Sequence, residues 1–505
     1  MPPLPASTPT DSAQPAIARS ASARSASAPS GSTLVVTAPT TAPRAGDRLT
    51  FGWTTDKPNA KNWIGLYDGD RQPGNGASIV WAYAPGSAGS LTLDTSGLAG
   101  GPYTAYLLYD DAYSVLARTT PFAFAPVVAP HAAVDAVTVP AVAGGPVRVP
   151  LGNLWIRPDG NKPGSPVFRR LSGDSWLSVD ADGTVSGTAP ARAPRRPGRL
   201  VAGVEDSAVG SDTVTVEVPV RSAGDEMTLK VASLNLWDAG AHVDGAVEKQ
   251  VRVVLTQGFD VVALQETGGS AARILGEALG WSVYQSEGGL GVVSRHPLTD
   301  VTGPTADLPA AGLTVRLPGG RAVRLWTAQL DEAGYGPYAA SLGAARLVAD
   351  ERQTVRFQQV RLLTAAMRKD LGSAAPVVLA AGLASPSHLD WTARTSPEHD
   401  GAGAVAWPVT EALQQAGLID AFRRMHPDPV KVPGATWSPV RPTGDGGGAE
   451  PQDRIDQVQY AGPLTVLEAH SLTTGWPLPV PGTAANGWPS DHAAAVVTFR
   501  LRAAR

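Results

Sequence analysis

Four short apolar runs of this 505-residue chain end on side chains able to do chemistry. VASLNLW carries Asn235, DVVALQET carries Glu266, DRIDQVQY carries Asp456, and WPSDHAAAVVTF carries Asp491 beside His492. An amide, carboxylates and an imidazole are what a site needs to hold a hard cation and move a proton. Apolar runs of about four to eight residues rich in Val, Leu and Ile read as buried strands, and polar residues just past their ends converge on one rim of a sheet. Taken singly, each group has a plainer use. Asn235 reads as a turn residue, Glu266 as a solvated strand end, Asp491 as a cap and His492 as a hydrogen-bonding core histidine.

In this order and context the segments resemble the endonuclease/exonuclease/phosphatase family, metal-dependent phosphodiesterases of the DNase I-like and neutral sphingomyelinase-like kind. LGVVSRHPL, YGPY, PSHLDW, WPVTEALQQAGLIDAFR and TWSP fit the same pattern, and the likeness spans about residues 229–501. It implies a DNase I-like four-layer α/β sandwich over 227–505. It also implies that Glu266 is the main Mg²⁺ ligand and that Asn235 is its partner on metal and phosphate. His492 would stabilise or protonate the phosphoryl oxygen, Asp456 would orient it, and Asp491 would assist metal or water.

The chain departs from that pattern at three positions. The family carries a GDFN segment whose Asp aligns the attacking water and whose Asn contacts phosphate. VVLAAGLASPS aligns to it without a gap, placing Gly382 and Ala384 at those two positions. The family His that precedes YGPY is Gln329 here, in TAQLDEAGYGPY. No acid lies between Asp370 and Asp390 and no histidine between His296 and His388, so a shift of register restores neither. A positioned general base supplies roughly 10²–10⁴ in rate, and groups that act as a unit fail as a unit. Mg²⁺ binding is accordingly expected to be weak. His242, His296, His388 and His399 have no partner spacing for a metal and read as surface or structural residues.

At 505 residues the chain is too long for one core. Its 43% hydrophobic content supports burial despite 55 Gly and 45 Pro. The net charge of −4 and the lack of any Lys/Arg cluster argue against nucleic acid as a partner. Without cysteine there is no disulfide or thiolate site. No apolar run approaches a membrane span.

Residues 1–31 are Ser/Ala/Pro-rich without an apolar centre, and read as a disordered leader rather than a secretory signal. Over 32–126, short alternating runs separated by Gly, Pro and Asp predict an Ig-like antiparallel sandwich. NWIGLY resembles a SKICH-like segment, Tyr103 reads as a corner tyrosine, and Trp53, Trp63 and Trp81 read as core. Over 127–222 the pattern repeats in a form that resembles cadherin-like or Ig-like repeats. There DADG, with Asp180 and Asp182, reads as a hairpin turn before a calcium site.

The expected function is that of a catalytically impaired family member acting as a binding protein for a phosphorylated or lipid ligand. The modular front half implies an extracellular or cell-surface setting. The alternative is an active Mg²⁺-dependent phosphodiesterase with Asp331 or Asp390 as substitute base. A third reading is a structural adhesion protein with no ligand in the cleft.

Overall fold

The computed structural model describes residues 31–501 apart from 41, 44–46, 70, 99, 125–129, 157–165, 207–209, 223 and 445–446. The leader expected over 1–31 lies, except for Gly31, outside the described residues. The chain divides into two compact units, Met1–Ala129 and Pro130–Arg505.

The first unit is built of strands. Thr33–Ala38, Leu49–Thr54 and Ala88–Leu93 form one antiparallel sheet, and Val80–Tyr83, Trp63–Asp68, Gly100–Tyr109, Ser114–Arg118 and Phe122–Phe124 form another. In Leu49–Thr54, Leu49, Phe51 and Trp53 alternate inward and are buried, the period-2 signature of a strand with one core face. Trp63 is fully buried and Trp81 packs edge-on against it at 5.8 Å, so these rings fill the interior.

In the second unit, two six-stranded sheets share a core. The first runs Ser282–Gln285, Gly291–Ser294, Val261–Gln265, Met227–Asn235, Ala494–Leu501, Leu464–Leu472. The second runs Leu298–Thr302, Ala310–Arg316, Ala322–Gln329, Val377–Gly382, Asp456–Ala461, Ile419–Asp420. Leu229, Val231 and Phe499 from the first sheet pack with Leu325, Val378 and Val458 from the second. The opposite faces are apolar too, which explains why these strands read as continuous hydrophobic runs. Ala232, Leu234 and Val262 meet helices Ala246–Thr256 and Ala271–Leu279, while Leu379 and Ala381 meet Val360 and Leu363 of helix Val355–Leu371. That last helix begins where the Thr354 side chain accepts from Phe357 N, an N-cap the sequence supplies.

Residues 130–222 belong to this second unit. Their interior, with Leu154, Phe168, Leu200 and Val216, is continuous with the apolar face of the two helices on the first sheet. His131 Nε2 lies 2.9 Å from Glu248 Oε1, Asn153 Nδ2 donates to Glu277 O at 2.7 Å, and Arg295 Nη1 donates to Thr138 O at 3.0 Å. In the DADG turn, Thr184 N donates to Asp182 Oδ1 at 2.8 Å and Gly183 N to Asp180 O at 2.9 Å.

Candidate active-site cleft

The C-terminal ends of parallel strands from both sheets reach the same rim. Asn235 ends Met227–Asn235, and Glu266 follows its parallel neighbour Val261–Gln265. Gln329 ends Ala322–Gln329 in register with Gly382, and Gly382 pairs with Asp456 on the antiparallel strand beyond. His492 lies two residues ahead of strand Ala494–Leu501, which runs antiparallel to Met227–Asn235. A cavity of about 190 Å³ opens there, with Asn235, Gln329, Gly382, Ala384, Asp456 and His492 in its wall. Glu266 and Asp491 stand behind that wall, each in contact with members of it.

His492 Nδ1 is 2.7 Å from Asp456 Oδ2. Burial alone would lower the imidazole pKa, but the Asp456 charge and hydrogen bond override it and hold the ring at about 9, as a cation at neutral pH. Asp491 Oδ1 is 4.0 Å from His492 Nε2, and Oδ2 accepts from Arg441 Nε at 3.4 Å. Burial raises the Asp491 pKa against those two cations.

Glu266 is held by nitrogen donors. Its Oε1 accepts from Asn235 Nδ2 at 2.7 Å and Gln329 Nε2 at 3.0 Å, and its Oε2 accepts from Asp238 N at 3.1 Å. Trp237, Asp238 and Ala239 all have positive φ, a left-handed turn that aims Asp238 N at this carboxylate and Ala239 N at Glu266 O. Glu266 itself sits at φ 53, a strained backbone that these contacts retain.

Gly382 and Ala384 bring no functional group. A Cβ at Gly382 would meet only Asp456 Oδ1, at 3.5 Å, and Gln265 Cγ, at 3.9 Å. Ala384 has φ 49, a left-handed conformation that favours Gly or Asn over Ala. Neither suggested substitute acid reaches the cavity wall. Asp331 Oδ1 accepts from Ala333 N, and Asp390 is bound by Arg423 and by Arg454 Nη2, the latter at 2.9 Å. Besides Asp456, the carboxylate in the wall is that of Glu332, which is solvent-exposed.

Four other histidines lie outside the cavity wall. His242 stacks on Trp237 at 4.2 Å, His399 on Trp391 at 3.9 Å, His388 contacts Thr410 and Gln414, and burial beside Arg295 and Arg221 lowers His296 to about 4. The sequence reading missed the aromatic wall of Tyr335, Tyr338 and Trp437. YGPY and TWSP carry those residues, but nothing local to either segment shows that they face one another.

This geometry stands beside two independent likenesses. Residues 241–492 match the Endonuclease/Exonuclease/phosphatase family. An uncharacterized protein of Caenorhabditis elegans, F14F9.5, is 31% identical over 287 residues, covering 54% of this chain and 91% of that protein. The chain belongs to the endonuclease/exonuclease/phosphatase family. Its family domain is DNase I-like. Among solved structures it is similar to an endonuclease/exonuclease/phosphatase from Beutenbergia cavernae DSM 12333, at 20% identity over 54% of this chain and 72% of that one, with TM-score 0.36. It is also similar to truncated Caenorhabditis elegans TDP2, at 16% identity over 54% and 98%, with TM-score 0.37.

Members of the family are generally metal-dependent, and the residues here do not fit a resident Mg²⁺. That ion takes about six oxygens in strict octahedral geometry, typically with one or two carboxylates. Glu266 already accepts three N–H bonds, and no cluster of three metal-ligating side chains occurs among the described residues.

Proposed function

We propose that the family domain is catalytically impaired and that its cleft binds a ligand without hydrolysing a phosphodiester. The observation that carries this reading is the state of Glu266, whose carboxylate is tied up by Asn235, Gln329 and Asp238 N instead of facing a metal or substrate. Two further facts support it. Among the described residues the acid within 4 Å of a Cβ at 382 is Asp456, which already serves His492, and both other acids proposed as a base are engaged elsewhere. Within this reading, the two shared-core sheets and their outer helices form a four-layer α/β sandwich over 227–505. The strand-rich segments 32–126 and 127–222 are Ig-like modules that act as spacers or adhesion elements in an extracellular setting. No helix among the described residues is long and apolar enough to cross a membrane.

The test is turnover of bis(p-nitrophenyl) phosphate by the full chain, with and without Mg²⁺. Hydrolysis at the no-enzyme rate in both conditions is expected. Mg²⁺-stimulated turnover that Glu266→Gln abolishes would overturn the reading.

A further inference from the structure

The cavity wall shows which ligand chemistry it favours. Each aromatic side chain there has given its polar hydrogen to a buried carboxylate. Tyr335 Oη donates to Asp453 Oδ2 at 2.8 Å, Tyr338 Oη to Glu450 Oε1 at 2.7 Å, and Trp437 Nε1 to the same Glu450 oxygen at 2.7 Å. These rings thus have their polar hydrogens engaged within the protein, and hydrogen bonding to a carboxylate makes them richer in electrons. The amides of Asn235 and Gln329 are turned to Glu266.

Asp456 provides the second, independent observation. It is fully buried and lines the cavity, and while its Oδ2 meets His492, its Oδ1 has no hydrogen-bond partner among the described residues. A buried carboxylate oxygen left without a donor has lost its hydration with nothing in exchange. Oδ1 borders the space where residue 382 has no side chain, since a Cβ there would lie 3.5 Å from it. With glycine at 382, no side chain of that residue occupies this space.

Charge points the same way. Glu266, Glu332, Glu450, Asp456 and Asp491 line or back the cavity, against His492 and Arg441. A phosphate would meet one cation of the wall and a carboxylate excess, whereas a cation would meet the reverse.

We propose that the cleft takes an organic cation bearing an N–H donor, a primary or secondary ammonium whose N–H reaches Asp456 Oδ1 and whose apolar or aromatic body lies against Tyr335, Tyr338 and Trp437. The assignment rests on the reading of the cleft as a binding site that does not hydrolyse. Rings pinned in this way attract a cation through their faces, and the charged donor satisfies the orphaned oxygen.

Calorimetry on the full chain with four probes tests this: phenethylammonium, its N-trimethyl form, 2-phenylethanol and inorganic phosphate. Saturable 1:1 binding of phenethylammonium is expected. The N-trimethyl form, which keeps the charge but has no N–H, should bind about tenfold more weakly. Tyr338→Ala should weaken phenethylammonium about fivefold; Tyr338 is 63% exposed, so the variant folds. Gly382→Ala, which narrows the approach to Asp456 Oδ1, should weaken it as well while leaving the thermal unfolding profile in place. Binding of phosphate but not of phenethylammonium would overturn the ammonium assignment and leave the binding reading intact. Equal binding of the N-trimethyl form, or unchanged affinity in both variants, would also overturn it. Phosphodiester turnover would instead remove the reading beneath it.

Discussion

Gln329 and Glu266 hold each other twice: Gln329 Nε2 donates to Glu266 Oε1 at 3.0 Å, and Glu266 N donates to Gln329 Oε1 at 3.3 Å. The pair joins the ends of strands in two different sheets and fixes a left-handed residue. The neutral carboxamide thus supplies to the carboxylate part of what a cation would supply in a metal site.

Removing the carboxamide should therefore do two things. Gln329→Ala leaves a half-buried carboxylate short of a donor and should destabilise the protein by about 1–3 kcal/mol. It should also make the melting temperature rise on adding millimolar Mg²⁺, which the parent should not show, because an ion that binds only the native state stabilises it. Thermal melts with Mg²⁺ and with EDTA check both effects. A variant as stable as the parent would show that the double contact contributes nothing.

Ala384 offers a stability change of the opposite sign. At φ 49 an alanine side chain crowds its own backbone, and the left-handed conformation costs roughly 1–2 kcal/mol for an ordinary L-residue. Ala384→Asn should recover part of this, about 0.5–1 kcal/mol, since Asn tolerates that region. Urea denaturation reads the change, and a destabilised Asn variant would mean that the strain is not relieved by backbone preference.

The His492–Asp456 pair sets a pH dependence. The ring's pKa is 6.5 in the unfolded reference and about 9 in the fold, where Asp456 overrides the opposing effect of burial, with Asp491 and Glu266 adding to the same sense. Below 6.5 both states hold the proton and the contribution is complete. Between 6.5 and about 9 the native state keeps a proton that the unfolded chain releases, so stability falls as pH rises. Denaturation midpoints from pH 6 to 9.5 should decline in the parent and flatten over this window in His492→Gln. A parent whose midpoint stays level would refute the coupling.

Asp390 separates a structural carboxylate from a catalytic one. It is bound by Arg423 and Arg454, and Arg454 also pairs with Asp420 Oδ2 at 2.7 Å, all of them buried. Breaking a buried ion network leaves uncompensated charge and costs about 3–5 kcal/mol. Asp390→Ala should fall in that range by urea denaturation. A small loss of stability combined with loss of a measurable turnover would return Asp390 to the chemistry.

How much of this was legible before the fold differs by residue. The apolar runs that end at Asn235 and Gln265 and the one that begins at Asp456 announced buried strands because both faces of each sheet are covered. Gly382, Ala384 and Gln329 stand out as departures because the segments around them resemble the family pattern. The lock on Glu266 was not, because it depends on how strands of two sheets face each other. Nor was the aromatic wall: Tyr335 and Tyr338 are tied to Asp453 and Glu450, more than a hundred residues away along the chain. The packing of 130–222 onto helices Ala246–Thr256 and Ala271–Leu279 was hidden as well, since alternating apolar and charged residues such as Glu248 and Arg252 read equally as a solvated face.

If impairment lies in the three substituted positions, reversing them should return chemistry. Gly382→Asp would supply the carboxylate that the resemblance assigns to aligning water, Ala384→Asn would supply the amide it assigns to phosphate on a backbone already left-handed, and Gln329→His removes the amide partner of Glu266. The scaffold has room for this, since a Cβ at residue 382 meets nothing closer than 3.5 Å. What it meets is Asp456 Oδ1, so the new carboxylate faces like charge and the triple variant should be less stable than the parent without Mg²⁺. With Mg²⁺ it should hydrolyse bis(p-nitrophenyl) phosphate, while Gly382→Asp alone should recover little, because residues that act as a unit are strongly non-additive. The phenethylammonium affinity should fall in the same variant as the opening beside Asp456 closes, linking gain of turnover to loss of the ammonium site. A folded triple variant that binds Mg²⁺ and remains inert would place the impairment beyond these three residues.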